Sequence, residues 1–251
     1  MHKISKILIS ISFTITNFFY AEEYLTKPPI VPIYLDEPPS RKTNNNPIET
    51  FNLSANTYSP QEFYTKYTWP TIKPRVEPDD HGWFVNAAQL RLLLNNKQLL
   101  IVELGSWLGS STRFILNHAQ NATVIAVDHW LGSTEHYADS EFHIKLATLY
   151  ETFLVNCWDY KHRLIPLRTT TLQGLEEIYI HNLHPDLVYV DASHDYDAVL
   201  SDLEKIYQLF PSTVIAGDDW MWNSVRAAVC DFASKYEFSI QASKNFWQLQ
   251  K

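Results

Sequence analysis

The sequence predicts an α/β fold: a doubly wound, mostly parallel sheet with helices on both faces and an antiparallel terminal strand. Three observations predict it. From His81 onward, short runs that are apolar throughout alternate with longer segments of helical periodicity. Strands buried on both faces lose the polar–apolar alternation, and parallel neighbours need a crossover helix between them. The last two apolar runs, "FSIQASK" and "NFWQLQK", lie close enough in the chain to form a hairpin.

Taken in order, "GWFVNAAQLRLLLNN" carries an apolar helical pattern and "QLLIVELGS" reads as the first buried strand. "SSTRFILNHAQ" is the helix after it, and "ATVIAVDHW" the second strand. "SEFHIKLATLYETFLVNCWDY" predicts one long helix, followed by the third strand in "RLIPLRTTT" and a helix in "TLQGLEEIYIHN". "PDLVYVDASH" and "STVIAGDDW" are the fourth and fifth strands, with "YDAVLSDLEKIYQLF" and "NSVRAAVCDFASKY" as their helices.

The N-terminal third differs. "MHKISK" followed by the uncharged run "ILISISFTITNFF" has the layout of a secretory signal peptide over residues 1–21, with Ala21 before the cut. Export to the periplasm or outside follows from it, an uncleaved anchor or a cytoplasmic extension being the alternatives. The apolar run is short for a membrane span, so no stable span is expected once the leader is removed. Ten of the 13 prolines fall between residues 22 and 80. Proline removes a backbone donor and fixes φ, so this stretch predicts an extended arm whose aromatic later half (Phe63, Tyr64, Tyr67, Trp69) packs on the domain. The domain itself is expected over 81–251.

A net charge of −8 argues against nucleic acid as a partner, since such binding depends on excess Lys and Arg. Two cysteines, Cys157 and Cys230, give neither a disulfide framework nor a zinc spacing and predict buried thiols. A homo-oligomer is compatible with the composition.

In doubly wound sheets, ligands bind beyond the carboxyl ends of the strands, so the strand tips are the residues of interest. In "ELGSWLGSS", Gly105 and Gly109 let the backbone turn sharply and approach a ligand. No lysine follows the second glycine, as a phosphate-gripping loop requires. Trp107 stands where a dinucleotide fingerprint has its second glycine, which speaks against a nicotinamide oxidoreductase. Glu103 instead suits a cationic or zwitterionic ligand. Asp128, 23 residues past Gly105, is spaced to accept hydrogen bonds from ribose hydroxyls. The ligand is then a nucleoside carrying positive charge.

These motifs, "VELGSWLGSS" with "VIAVDHW", resemble the cofactor-binding half of the class I S-adenosylmethionine-dependent methyltransferases, which have a Rossmann-like fold. The wider run from "DHWLGSTEH" to "VIAGDDW" resembles the small-molecule O-methyltransferases related to those of macrolide and cephalosporin biosynthesis. The resemblance implies that the glycine turn (Glu103, Gly105, Ser106, Gly109) holds the methionine part and Asp128 the ribose. His129 and Thr171 are the further cofactor candidates. It implies methyl transfer to an oxygen of a small-molecule acceptor. A secreted binding module that keeps the fold without turnover is the rival reading, to which the export signal gives weight.

The fourth and fifth tips carry the acceptor chemistry. Asp191, Asp218 and Asp219 would crowd one rim, and crowded carboxylates repel unless a cation neutralises them. Mg2+ on these three oxygens would do so, as in catechol O-methyltransferase-like enzymes, although Asp219 stands where those have an amide. Asp191 and Asp218 are on this reading catalytic. Without a metal, His194 is the general base, or else it caps the next helix or bonds a carbonyl. Arg113 and Arg168 could meet an acidic acceptor, with structural pairing the alternative.

Overall fold

The computed structural model describes residues 59–79 and 84–251, which fall in one compact unit. The leader expected over 1–21 and the first part of the expected arm lie outside the described residues. Among the described residues no helix is long and apolar enough to cross a membrane.

The sheet has seven strands in the order β3-β2-β1-β4-β5-β7-β6. β1 (Leu100–Leu104), β2 (Thr123–Asp128), β3 (Leu164–Arg168), β4 (Leu187–Val190) and β5 (Val214–Gly217) run parallel. β7 (Phe246–Gln250) pairs antiparallel with both β5 and β6 (Ser239–Ser243), forming the expected terminal hairpin. This is the Rossmann-like fold that the alternation of buried strands and helices predicts. The chain moves outward from β1 to β3, then crosses back to β4, so the strand order reverses between β1 and β4, where such sheets open a crevice.

The reason the strands read as continuous apolar runs is that both faces are covered. Side chains alternate across a strand, and Val102, Leu104, Ile125, Val127, Val188 and Val190 enter one apolar layer. Ile101, Val124, Ala126, Leu187 and Tyr189 enter the other. Register then sets the site: Leu104 lies beside both Val127 and Val190, and Val190 beside Gly217. The residues that follow each strand therefore emerge along one edge.

Three expectations are corrected. The long helix is broken into α5 (Ser140–Leu146), α6 (Leu149–Asn156) and a 3-10 turn at Trp158–Tyr160. Asp139 caps α5, which buries no residue, whereas α6 buries Leu149, Phe153 and Leu154. One straight helix could not present both faces, and α6 starts afresh with Thr152 donating through both N–H and Oγ1 to the Thr148 carbonyl. The proline-rich segment does sustain a helix, α1 (Pro60–Lys66), because its proline stands in the first turn, where no N–H is needed, behind a Ser59–Glu62 capping box. Cys157 is buried as expected, but Cys230 is exposed on α9 (Asn223–Tyr236).

Of the arm's aromatic half, Phe63, Tyr67 and Trp69 pack on the domain as predicted, whereas Tyr64 is exposed. Phe63 is fully buried, its ring 5.3 Å from that of His181. The Tyr67 hydroxyl donates to Glu177 at 2.7 Å, and Trp69 Nε1 donates to the Leu164 carbonyl at 2.5 Å. The remaining helices are α2 (Ala87–Leu93), α3 (Ser110–His118), α4 (Thr134–Ala138), α7 (Thr171–Ile180) and α8 (Tyr196–Leu209).

Candidate active site

A cavity of about 840 Å3 opens at the carboxyl edge of the sheet, walled by the tips of β1 to β5 and roofed by α4 and α5. The β1 turn forms one wall. Gly105 has φ 81°, and a Cβ there would run into the Asp191 carbonyl and Ala192. Only glycine lets the β1 and β4 tips approach this closely. Gly109, φ 83°, is the N-cap of α3 and lies against Cys157 Sγ.

Glu103 does not line the cavity as the sequence suggested. It is fully buried behind the turn, where its Oε2 accepts from the hydroxyls of Ser106 (2.7 Å) and Thr112. Among the described residues its Oε1 has no hydrogen-bond partner. Burial raises its pKa, partly offset by hydroxyls of Ser111, Thr112 and Ser106. Glu103 thus positions the turn; Ser106 reaches the cavity while its hydroxyl faces inward.

Asp128 sits on the cavity wall, but its carboxylate is already engaged. Oδ2 accepts the N–H groups of Ser106 (3.0 Å) and Trp107 (2.9 Å), and Oδ1 accepts that of Trp130 (2.6 Å). A carboxylate has about four acceptor positions, so roughly one remains for a ribose hydroxyl. Trp107 and Trp130 have φ 46° and 50°, left-handed values unfavourable for residues with a Cβ. Asp128 ties both in place, and Trp130 Nε1 adds a 2.9 Å bond to the Trp107 carbonyl. His129 lines the cavity, with Nδ1 accepting from the Leu131 N–H at 3.0 Å.

At the β3 side, Thr171 donates its hydroxyl to Asp202 Oδ1 at 2.6 Å. Asp202, on α8, lines the cavity at 3% exposure, and burial raises its pKa to about 6 despite the Thr171 bond. Asp202 was not singled out from the sequence, yet a signal existed. It falls in the i, i+3, i+4, i+7 stripe of Val199, Leu203 and Ile206, where an acid is out of character.

At the opposite end stands His194. Its Nε2 lies 2.9 Å from Asp219 Oδ2 and its Nδ1 3.1 Å from Glu135 Oε2 on α4; its ring stacks on Trp222 at 4.2 Å. Burial alone would lower its pKa, but the hydrogen bond and charge of Asp219, then Glu135, raise it overall. Helix capping falls to Asp195, which accepts from the Ala198 N–H. A second stack, Trp107 on His136 at 4.0 Å, joins the β1 turn to α4.

Asp191 and Asp218 stand side by side, as pairing of β4 with β5 requires. Burial, then the charges of Asp218 and Asp219, push the Asp191 pKa well above the usual range. Burial likewise raises Asp218 to about 6, against the Asp219 N–H bond. The three carboxylates do not converge as the expected metal ligands: among the described residues no group of three or more His, Cys, Asp or Glu side chains is arranged to hold a metal ion. Asp219, at φ 65°, turns its Oδ2 onto His194, and Asp218 Oδ1 accepts the Asp219 N–H at 2.6 Å. The residues present do not fit Mg2+.

Neither candidate arginine meets the cavity. Arg113 donates to the Gly109 carbonyl, and Arg168 lies over the Tyr150 ring at 4.8 Å.

Fold and site together define a doubly wound domain with a cavity across the tips of its parallel strands. Residues 102–220 match the family model described as "Methyltransferase domain", a span that begins in β1 and runs past the β5 tip. Among solved structures, the chain is similar to cofactor-bound Rv0187 from MTB (15% identity, 70% of this chain and 82% of that one, TM-score 0.48). It is also similar to an O-methyltransferase from Bacillus cereus in complex with SAH (16%, 70% and 83%, 0.45) and to precorrin-6y C5,15-methyltransferase from Geobacter metallireducens GS-15 (14%, 72% and 97%, 0.46). No curated protein sequence shows a significant match.

Proposed function

We propose that the protein is a class I S-adenosylmethionine-dependent methyltransferase acting on a hydroxyl oxygen of a small, neutral or cationic acceptor. The observation that carries the reading is that the segment matched to a methyltransferase domain contains both a cavity at the strand tips and a His–Asp pair facing into it. The cofactor fits the residues present. The close β1–β4 approach at Gly105 gives it a backbone cradle, and Asp128 keeps an acceptor position for the ribose. When bound, S-adenosylmethionine supplies an electrophilic methyl group on a sulfonium.

The chain's own residues supply the rest. With Nε2–H donating to Asp219, His194 presents Nδ1 as the basic nitrogen, and Asp219 fixes that tautomer. Glu135, 53% exposed, now occupies the Nδ1 side; an acceptor hydroxyl would take that place and give its proton to Nδ1. Methylation of a hydroxyl releases one proton, so such a base is what the reaction needs, with positioning the other large contribution. Among the described residues no Lys or Arg lines the cavity, which disfavours phosphorylated and carboxylate acceptors.

Calorimetric titration with S-adenosylhomocysteine, followed by transfer of a labelled methyl group to a panel of neutral and basic hydroxylated compounds, tests this. Binding with transfer to a hydroxyl is expected. Absence of binding would overturn the reading.

A further inference from the structure

The mechanism above requires Glu135 to leave His194 Nδ1, and the structure shows what leaves with it. Glu135 belongs to α4, part of the roof of the cavity. From Leu131 to Thr148 none of the residues whose exposure is described is buried, so α5 contributes nothing to the core. The two ends of this segment meet: Gly132 has φ 81°, and a Cβ there would strike Leu146. A loop that leaves and rejoins the domain at one neck, with no side chain in the core, opens at little cost to the rest.

The segment is held down by polar and ring contacts. Lys145 pairs with Asp79 at 2.6 Å, the His136 ring stacks on Trp107 at 4.0 Å, and Glu135 Oε2 lies 3.1 Å from His194 Nδ1. The last differs in kind, because it occupies the nitrogen that an acceptor needs. Nε2 already faces Asp219, and a ring nitrogen bonds a carboxylate oxygen only by donating. With both nitrogens donating, the ring is an imidazolium without a basic nitrogen. The charged groups around it come from two elements, Asp218 and Asp219 at the β5 tip and Glu135 and His136 on α4. Of these elements, α4 is the one outside the core. Resting on the acceptor-end reading above, we propose that residues 131–148 form a lid and that Glu135 is its latch, an autoinhibitory contact that occupies His194 until an acceptor hydroxyl displaces it. When the lid lifts, the Nδ1 proton passes to solvent and the nitrogen becomes available. While no acceptor is present, the site holds no free base that could activate water.

The full chain is treated at pH 7 with diethyl pyrocarbonate, which acylates an uncharged ring nitrogen, and the modified histidines are located by mass spectrometry. His162, which is exposed, serves as the internal reference. Hydrogen exchange over the lid is measured on untreated samples. Glu135→Ala, at a side chain that is half exposed, should speed acylation of His194 relative to His162 by about twofold to fivefold, the equilibrium worth of a partly exposed ion pair. The same variant should raise exchange over residues 131–148 alone. An unchanged His194 rate would overturn the proposal. Faster acylation with unchanged exchange would also overturn it, because Glu135 would then be a charged neighbour and no latch. A rise in exchange spread over β1 and β4 would do the same, by making Glu135 a general stabiliser. Binding of S-adenosylhomocysteine to the wild type is read separately by calorimetry: its absence rejects the cofactor reading, and the latch with it, whatever the acylation rates.

Discussion

Asp128→Asn separates two accounts of the same carboxylate. Read from the sequence, Asp128 is a ribose contact, and its loss should weaken the ligand and leave the fold alone. The structure gives it a second task, since it accepts N–H groups from Ser106, Trp107 and Trp130 and holds two tryptophans at positive φ. An asparagine retains one carbonyl oxygen. Turned toward Ser106 and Trp107 it keeps two bonds, both now without charge assistance, and points its NH2 at the Trp130 N–H.

Losing one hydrogen bond to a charged group costs about 1.5–3 kcal/mol, and the lost charge assistance in the two that remain adds about 1 kcal/mol each. Relaxation of the two left-handed residues returns part of this, so a net loss of about 2–4 kcal/mol is expected. With a urea slope of about 2 kcal/mol/M for a domain of this size, the unfolding midpoint should fall by about 1–2 M. Affinity for S-adenosylhomocysteine should fall in the same variant, because the turn that cradles it is no longer fixed. A midpoint within about 0.2 M of wild type together with lost affinity would refute the tie and leave only the ribose contact.

Other outcomes follow from the same geometry. His194→Gln should lower turnover by about 10²- to 10⁴-fold with little change in S-adenosylhomocysteine affinity; a matching loss of affinity would remove it from the acceptor end. Because His194 must be neutral to act and its pKa is raised, wild-type turnover should climb with pH through that value, and Asp219→Asn should shift the climb to lower pH. Phe63→Ala should destabilise by about 3–5 kcal/mol in urea melts, since Phe63 is fully buried; a change under about 1 kcal/mol would mean that α1 is not part of the core. Asp202 and Asp218 each have a folded pKa of about 6, above the ordinary aspartate value of 3.8. The folded state therefore binds more protons than the unfolded one between about pH 4 and 6, and these groups' contribution to the stability of the ligand-free protein falls as pH rises through that window. Asp202→Asn should flatten the slope; an unchanged slope in pH-resolved melts would rule out its buried carboxyl as the source.

Much of the fold was legible because it is written in local pattern. A strand covered on both faces is apolar through its middle, as β1 is from Leu100 to Val102, β2 from Val124 to Val127 and β4 throughout. The hairpin, the site edge and the proximity of Asp191 to Asp218 followed from that alone. What sequence could not give was which partner each polar group would find. Glu103 looked like a ligand contact because it ends an apolar run, but the pleat turns it behind the glycine turn onto Ser106 and Thr112. The expected trio of metal ligands fails for a similar reason, since the left-handed backbone at Asp219 directs its oxygen onto His194. The break between α5 and α6 escaped notice because both pieces have helical periodicity, and only their burial distinguishes them.

The charge of the cavity leads to a last prediction. Asp128, Asp191, Asp202, Asp218 and Asp219 line it, with Glu135 beside His194, and among the described residues no Lys or Arg stands against them. Two of these carboxyls are held near pH 6, and Asp191 is pushed well above the usual carboxylate range, which expresses the cost of packing them without a cation. A ligand carrying positive charge relieves that cost; its neutral counterpart relieves less. A pair of unit charges a few Å apart at an effective dielectric of about 20 interacts by about 2–4 kcal/mol before desolvation. S-adenosylmethionine, a cation at sulfur, should therefore bind about tenfold more tightly than the thioether S-adenosylhomocysteine at pH 8. Lowering the pH to 5 protonates Asp218 and Asp202 and weakens the pull, so the ratio should fall toward one. Calorimetry of both ligands at the two pH values gives the comparison. A ratio that stays constant, or grows in acid, would mean that the carboxylates do not face the sulfur, and the direction assigned to the cofactor in this cavity would have to be reversed.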